Sequence, residues 1–263
     1  MTEPTPPAPG AKRDDDLEEF DLPFFELVAL RLQVLVFALL TRITDLLLLL
    51  WHPRLLPSYL GIWWAEIRHT PYRARRTFEV VRALKTTGQR FRELIYGETP
   101  LMSALYLFKR AGLGRGSRLV DLGAGRGRVL IAASWLGAEA RGIELIADHV
   151  TRVAPRLQAV GITLTVGDMT REELGDATHL FTNWLALTPE TKARLIERFR
   201  TCRPGTRILT VTRPIEAEDF VRLSRHWVLF TWGVEVVWIH EYRPKAPPLP
   251  SPEGGTAHPA AGA

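Results

Sequence analysis

Cysteine is almost missing from this chain. A single one, Cys202, stands in 263 residues, which excludes a disulfide framework and any cysteine-built metal cluster. The seven histidines are scattered and nowhere take the spacing of metal ligands, so no metal is expected, and a reducing compartment is. Lysine is sparse: the formal charge of +5 rests on arginine, a bias compatible with a GC-rich bacterial genome. No secretory signal is recognisable, because acidic residues precede the first apolar segment and no small-residue cleavage site follows it. No nucleic-acid-binding module is present either, so nucleic acid is not an expected partner.

Both ends lack what a core needs. Residues 1–22 open with Pro4, Pro6, Pro7, Pro9 and the run Asp14-Asp15-Asp16, and residues 244–263 are rich in Pro, Gly and Ala. Both are expected to be disordered tails. Residues 23–90 read as a helical, membrane-associating region. Its apolar stretch 24–51 is interrupted by Arg31, Arg42 and Asp45. In a window of about 20 residues from Leu32, the apolar side chains contribute roughly −6 kcal/mol to insertion, and Arg42 and Asp45 cost about +6. Hydropathy therefore leaves insertion undecided. At 100° per residue the three charges share one stripe, as in a helix lying in an interface or spanning beside a partner. The other possibility is a helix packed on the chain's own surface. Pro53 and Pro57 end the helix, Tyr59, Trp63 and Trp64 follow, and then a basic run from Arg68 to Arg92 suits an anionic lipid surface. The expected location is the cytoplasmic face of a membrane, or the cytoplasm.

What is abundant lies in residues 91–243. A short apolar run, Leu119 to Leu122, reads as a buried strand. Gly123, Gly125 and Gly127 follow as a tight turn, and Val129 to Trp135 continues as an apolar helix. Strand, glycine turn and helix open a doubly wound α/β domain, and the glycines let a ligand approach the backbone. Strands are predicted over 118–122, 139–143, 163–166, 179–183 and 207–212. Helices are predicted over 101–108, 128–136, 147–160 and 189–201. Segments 227–231 and 236–242 read as a closing antiparallel pair around Gly233, which completes a seven-stranded Rossmann-like sheet.

The glycine spacing departs from the dinucleotide pattern Gly-x-Gly-x-x-Gly, since Arg128 takes the sixth position. Carboxylates stand there instead. Asp121, Glu144, Asp168 and Asn183 fall at the ends of four successive strands, where ligands sit in such sheets. This pattern resembles the class I, seven-strand methyltransferases that use S-adenosylmethionine. The resemblance implies that Asp121 and the glycine turn hold the methionine end of the cofactor. It implies that Glu144 accepts hydrogen bonds from the ribose, that Asp168 and Met169 face the adenine, and that Asn183 and Trp184 face the methyl acceptor.

Upstream, Tyr96-Gly97-Glu98-Thr99-Pro100 narrows the resemblance. It is similar to the loop that closes over the cofactor in telomeric-silencing-type histone lysine methyltransferases. The membrane-anchored lysine methyltransferases of the ATP synthase c-subunit are similar too, and they carry an apolar N-terminal segment. The likeness covers about 96–214 and departs after Asn183, where Trp184 replaces a second polar residue. It implies a role for Tyr96 at the reacting centre and for Glu98 and Thr99 at the cofactor. Taken as residues alone, the loop is also an ordinary helix start, with Thr99 as N-cap and Pro100 at N1.

Methyl transfer from a sulfonium mainly requires alignment and exclusion of water. No His/Asp pair stands near the strand ends, which leans towards a nitrogen nucleophile, although His179 or His240 could reach the site. The expected acceptor is a protein lysine at or near a membrane. The alternatives are a small or lipid-like acceptor, or a cofactor-binding scaffold without turnover. The sequence leaves the oligomeric state open.

Overall fold

The computed structural model describes residues 24–69, 98–184 and 187–244. At its centre is one seven-stranded sheet in the order β3-β2-β1-β4-β5-β7-β6. β1 (Arg118–Leu122), β2 (Glu139–Glu144), β3 (Ile162–Val166), β4 (His179–Asn183) and β5 (Arg207–Val211) run parallel. β6 (Phe220–Phe230) and β7 (Gly233–Tyr242) pair antiparallel, with β7 against β5. The chain winds outward from β1 to β3 and then restarts at β4 on the other side of β1. The switch point between β1 and β4 opens a crevice beyond their C-terminal ends. This is the doubly wound, Rossmann-like sheet expected from the sequence.

Alternation places the strand residues. Leu119 and Phe181 join the core on one face, and Val120, Leu122 and Leu180 join the core on the other. Both faces are covered, so the central strands read as nearly continuous apolar runs. The helices are α1 (Phe24–Leu49), α2 (Leu56–Arg68), α3 (Leu101–Arg110), α4 (Arg128–Trp135), α5 (Ala147–Thr151), α6 (Ala154–Gln158) and α7 (Pro189–Phe199). A 3-10 turn, Pro53–Leu55, joins α1 to α2.

Boundaries differ from expectation in several places, three of them informative. The helix predicted over 147–160 is two helices, because Pro155 lacks the N–H a continuous helix needs and restarts the chain in the first turn of α6. β5 stops at Val211, since Thr212 takes φ 78° and leaves the extended region. β6 begins at Phe220, earlier than the predicted 227.

Arg42 and Asp45 of the charged stripe of α1 turn inward. Asp45 is buried, and its Oδ2 accepts from the Tyr59 hydroxyl at 2.8 Å. Its Oδ1 accepts from Leu101 N at 2.9 Å. Asp45 thereby caps α3, whose N-cap residue is Pro100 and brings no side-chain acceptor. The sequence pointed to Thr99 for this role, but the cap comes from more than fifty positions upstream. Leu49, Leu55, Tyr59 and Ile62 share one core with Leu101, Phe108 and Leu130. The opposite face of α1 is apolar and exposed: Leu35, Leu39, Leu47 and Leu50 lie open, and Trp51 is 81% exposed. Among the described residues, no helix is long and apolar enough to cross a membrane. The tails at 1–22 and 245–263, Tyr96 and most of the basic run lie outside the described residues.

Candidate functional site

The glycine turn connects β1 to α4 at the switch point. Gly123, Gly125 and Gly127 have φ of 81°, 56° and 81°, a region that costs other residues strain. A Cβ on Gly127 would stand 2.8 Å from Leu157 Cδ1, so even a methyl group has no room there. A Cβ on Gly142 would meet Ala124, Leu130 and Leu164, each within 2.8 Å. Gly142, which sequence reasoning passed over, lets the turn and α4 settle directly on β2. Its signal was an isolated glycine inside a strand pattern.

Glu144 closes β2 and holds the turn. Its Oε2 accepts from Gly125 N at 2.8 Å, and its Oε1 accepts from Ile146 N at 2.9 Å. An ionised carboxylate offers about four lone-pair sites, so capacity remains for hydroxyl donors of a ligand. His149 Nδ1 lies 3.8 Å from the same Oε1. Asp121, one residue before the end of β1, is 3% exposed. Burial, with the nearby Glu144 charge, pushes its carboxyl from 3.8 up to about 8. A cation arriving beside Asp121 would favour its ionised form.

Met169 and Asp168 follow β3. The Met169 sulfur would lie 3.9 Å from a Cβ on Gly123, so this residue stands over the glycine turn. Asp168 is engaged locally: its Oδ1 accepts from Thr170 N at 2.9 Å and from the Thr170 hydroxyl at 2.8 Å. Asn183 ends β4 and is half-buried, in register with Val211 of β5. Beyond Val211 stands Thr212, whose left-handed φ is an outlier for a β-branched residue. Nothing in the sequence marked it.

The Glu98 side chain is drawn to the N-terminal helices. Thr99 is buried. The Glu98 carboxylate accepts from Arg128 Nη1 at 2.5 Å and from Arg42 Nη2 at 2.6 Å. Glu66 of α2 accepts from the same two guanidinium groups, at 2.8 Å from Arg128 and 2.5 Å from Arg42. Four side chains from α1, α2, the loop before α3 and the start of α4 thus meet in one buried network. Glu66, Arg42 and Arg128 were not candidates from sequence. Their separations along the chain reach 62 positions, which no local pattern records.

Other expected roles are not available. Trp184 is 3% exposed and packs near Phe199, with ring centroids 6.4 Å apart. It is core, and does not form an aromatic wall at the acceptor side. His179 opens β4 at the end opposite Asn183, with Nε2 3.0 Å from Ala111 O. His240 is fully buried and accepts from Ile215 N at 3.1 Å, and burial lowers it to about 4. Both histidines are structural. Tyr96 lies outside the described residues.

No family model matches the chain, and no curated protein matches it. Solved structures do resemble it. TrmN from Thermus thermophilus is 17% identical over 57% of this chain and 51% of its own length, with a TM-score of 0.48, so the match spans about half of that protein. An RNA methyltransferase from Salinibacter ruber, in complex with S-adenosyl-L-homocysteine, is 23% identical over 57% of this chain and 97% of its own, with a TM-score of 0.46. Magnesium protoporphyrin IX methyltransferase from Synechocystis, with bound SAM, is 13% identical over 68% and 89%, also at 0.46. At these values the likeness carries no assignment of chemistry.

Proposed function

We propose that this chain is an S-adenosylmethionine-dependent methyltransferase. The observation that carries the reading is the pair of carboxylates at the glycine turn. Glu144 is pinned by Gly125 N–H with acceptor capacity to spare, and Asp121 is buried beside it in the protonated range. A ligand with hydroxyls at one place and a positive charge at another fits that pair, since Glu144 can accept from hydroxyls and a cation favours the ionised form of Asp121. When bound, the cofactor supplies a methyl group on a sulfonium, which leaves as a neutral thioether on attack by a lone pair. The chain's own part is alignment. Asp121 and the turn would hold the cationic end, Glu144 the ribose, and Met169 would cover the turn. Asn183, at the end of β4, offers an amide oxygen that can accept from an incoming amine and hold it in line. The amine's proton leaves to solvent after transfer, so no strong base is needed if burial keeps the amine neutral.

The acceptor in this reading is a lysine side chain of a protein at a membrane surface. The loop at Tyr96 to Pro100 and the position of Asn183 support lysine. The outward face of α1 supports the membrane: Arg42 and Asp45 are spent inside the protein, and Leu35, Leu39 and Leu47 are left facing out with Trp51 just beyond the helix. That same face favours a lipid-like acceptor as the second reading. Turnover with methyl-labelled cofactor on a membrane extract separates them. Label in protein lysine supports the first, label in lipid the second, and no transfer contradicts both.

A further inference from the structure

Arg126 is the middle residue of the glycine turn, between Gly125 and Gly127. It is 1% exposed, the largest of the fully buried side chains. Its Nη2 donates to the His69 carbonyl, which ends α2, at 2.5 Å. Its Nε and Nη1 are buried without a hydrogen-bond partner. A guanidinium stays charged at any ordinary pH and carries five N–H donors. Leaving such donors buried and unsatisfied is costly, so a native protein needs a reason for them.

The surrounding charges sharpen the point. Among the described residues, Glu66 and Glu98 are the carboxylates of this network, and Arg42 and Arg128 already pair with both. Arg126 feels Glu66 only through space. Burial and the neighbouring Glu98 charge push the Glu66 carboxyl upward, so the negative charge of the cluster does not exceed that of its two carboxylates. Among the described residues, three guanidinium groups therefore face two carboxylates, one anion fewer than cations. Asp45, the next acidic group, is committed to Tyr59 and Leu101 N.

We infer that Arg126 is an anion receptor, and that the anion it takes is the α-carboxylate of the cofactor's amino-acid end. This rests on the S-adenosylmethionine reading above, in which that end lies against the glycine turn. The carboxylate is the cofactor's one anionic group, so it alone matches the deficit. The network of Arg42, Glu66, Arg128 and Glu98 has a part in this: by satisfying the local carboxylates with other cations, it leaves the buried Nε and Nη1 of Arg126 unclaimed.

The test uses the full chain and two probes, S-adenosylmethionine and its decarboxylated form, which lacks only that group. Calorimetric titration of the wild type should favour the complete cofactor by about tenfold or more, the scale of a charge-assisted hydrogen bond. Arg126→Gln should lose that preference, with affinity for the decarboxylated form changed by less than about threefold. Arg126→Lys should recover part of the preference, because it restores the charge without the planar fork. Equal weakening of both probes in Arg126→Gln would mean a purely structural role and overturn the inference. So would a wild type that binds both probes alike. Should the Gln variant fail to fold, the wild-type preference and its loss or retention in Arg126→Lys decide the matter. A wild type that binds neither probe removes the underlying cofactor reading as well, and that outcome is distinct from the other two.

Discussion

Arg128 Nη2 lies 2.8 Å from both carboxylate oxygens of Glu66, so the first residue of α4 is tied to α2 across the glycine turn. The same guanidinium carbon stands 5.4 Å over the Tyr59 ring. With Arg42 and Glu98 this makes the N-terminal helices a wall of the candidate site. The region that reads from sequence as helical and membrane-associating contributes Tyr59, Ile62 and Leu49 to the central core.

The first prediction concerns that wall. Glu66→Ala leaves two guanidinium groups buried with one carboxylate fewer, which should lower stability by about 3–5 kcal/mol, the cost of breaking a buried pair. A chain starting at Arg90 loses Asp45, Tyr59 and Glu66 together and uncovers Leu101 and Leu130, and it should aggregate or melt far below the full chain. Thermal unfolding followed by circular dichroism checks both. A truncated chain that melts at the full-length temperature would show that the wall is dispensable.

The glycine turn gives the second. Glu144→Ala removes the acceptor for Gly125 N and Ile146 N as well as the ribose acceptor proposed here. Affinity for S-adenosylmethionine should fall by about 1.5–3 kcal/mol, the worth of hydrogen bonds to a charged group. Glu190→Ala, at the exposed start of α7, should leave affinity unchanged. Calorimetry on both variants makes the comparison, and equal affinities would remove Glu144 from the site.

Asp121 makes a prediction about pH. Its folded-state value, about 8, lies above its ordinary 3.8. Between those values the folded protein keeps a proton that the unfolded chain has released. The stability linked to this group is therefore full below about pH 4 and is lost as pH rises towards 8. Asp45, raised to about 6 by burial, acts in the same sense over a narrower range. His240, lowered to about 4, acts in the opposite sense between pH 4 and 6.5. Above pH 6.5 neither contributes further change, and Asp121 continues. From pH 6.5 to 8 the wild type should lose up to about 2 kcal/mol relative to Asp121→Asn. Parallel Tm curves for the two proteins over that range would contradict the assignment.

The outward face of α1 supplies the fourth. Full-length protein should sediment with vesicles containing anionic lipid, and Leu39→Glu with Leu47→Glu should abolish this without lowering Tm, since both side chains are more than half exposed. Salt should weaken the attachment if the arginines share in it. Unchanged sedimentation of the double variant would place the membrane contact elsewhere.

The fold was legible because its signals are local. Short apolar runs and a glycine turn each specify their own segment. The parallel order then follows from helices between strands. Glu144 and the glycine turn were legible as candidates for one site for the same reason, being one βα unit apart, while the bond from Gly125 N to Glu144 was seen only in the structure. The direction of the α1 stripe was not, since Arg42 and Asp45 lie equally well on a face turned to lipid or to protein. What decides it is Glu66, Glu98 and Leu101 N, which only the tertiary fold brings there. Trp184 misled because a residue after a strand end has no periodicity to show whether it faces the crevice or the core.

Titration of the purified full chain with S-adenosylmethionine and, separately, with NADH tests the central claim most directly. Saturable heat with S-adenosylmethionine, lost in Glu144→Ala, and none with NADH is the predicted result. Binding of NADH without S-adenosylmethionine would contradict it.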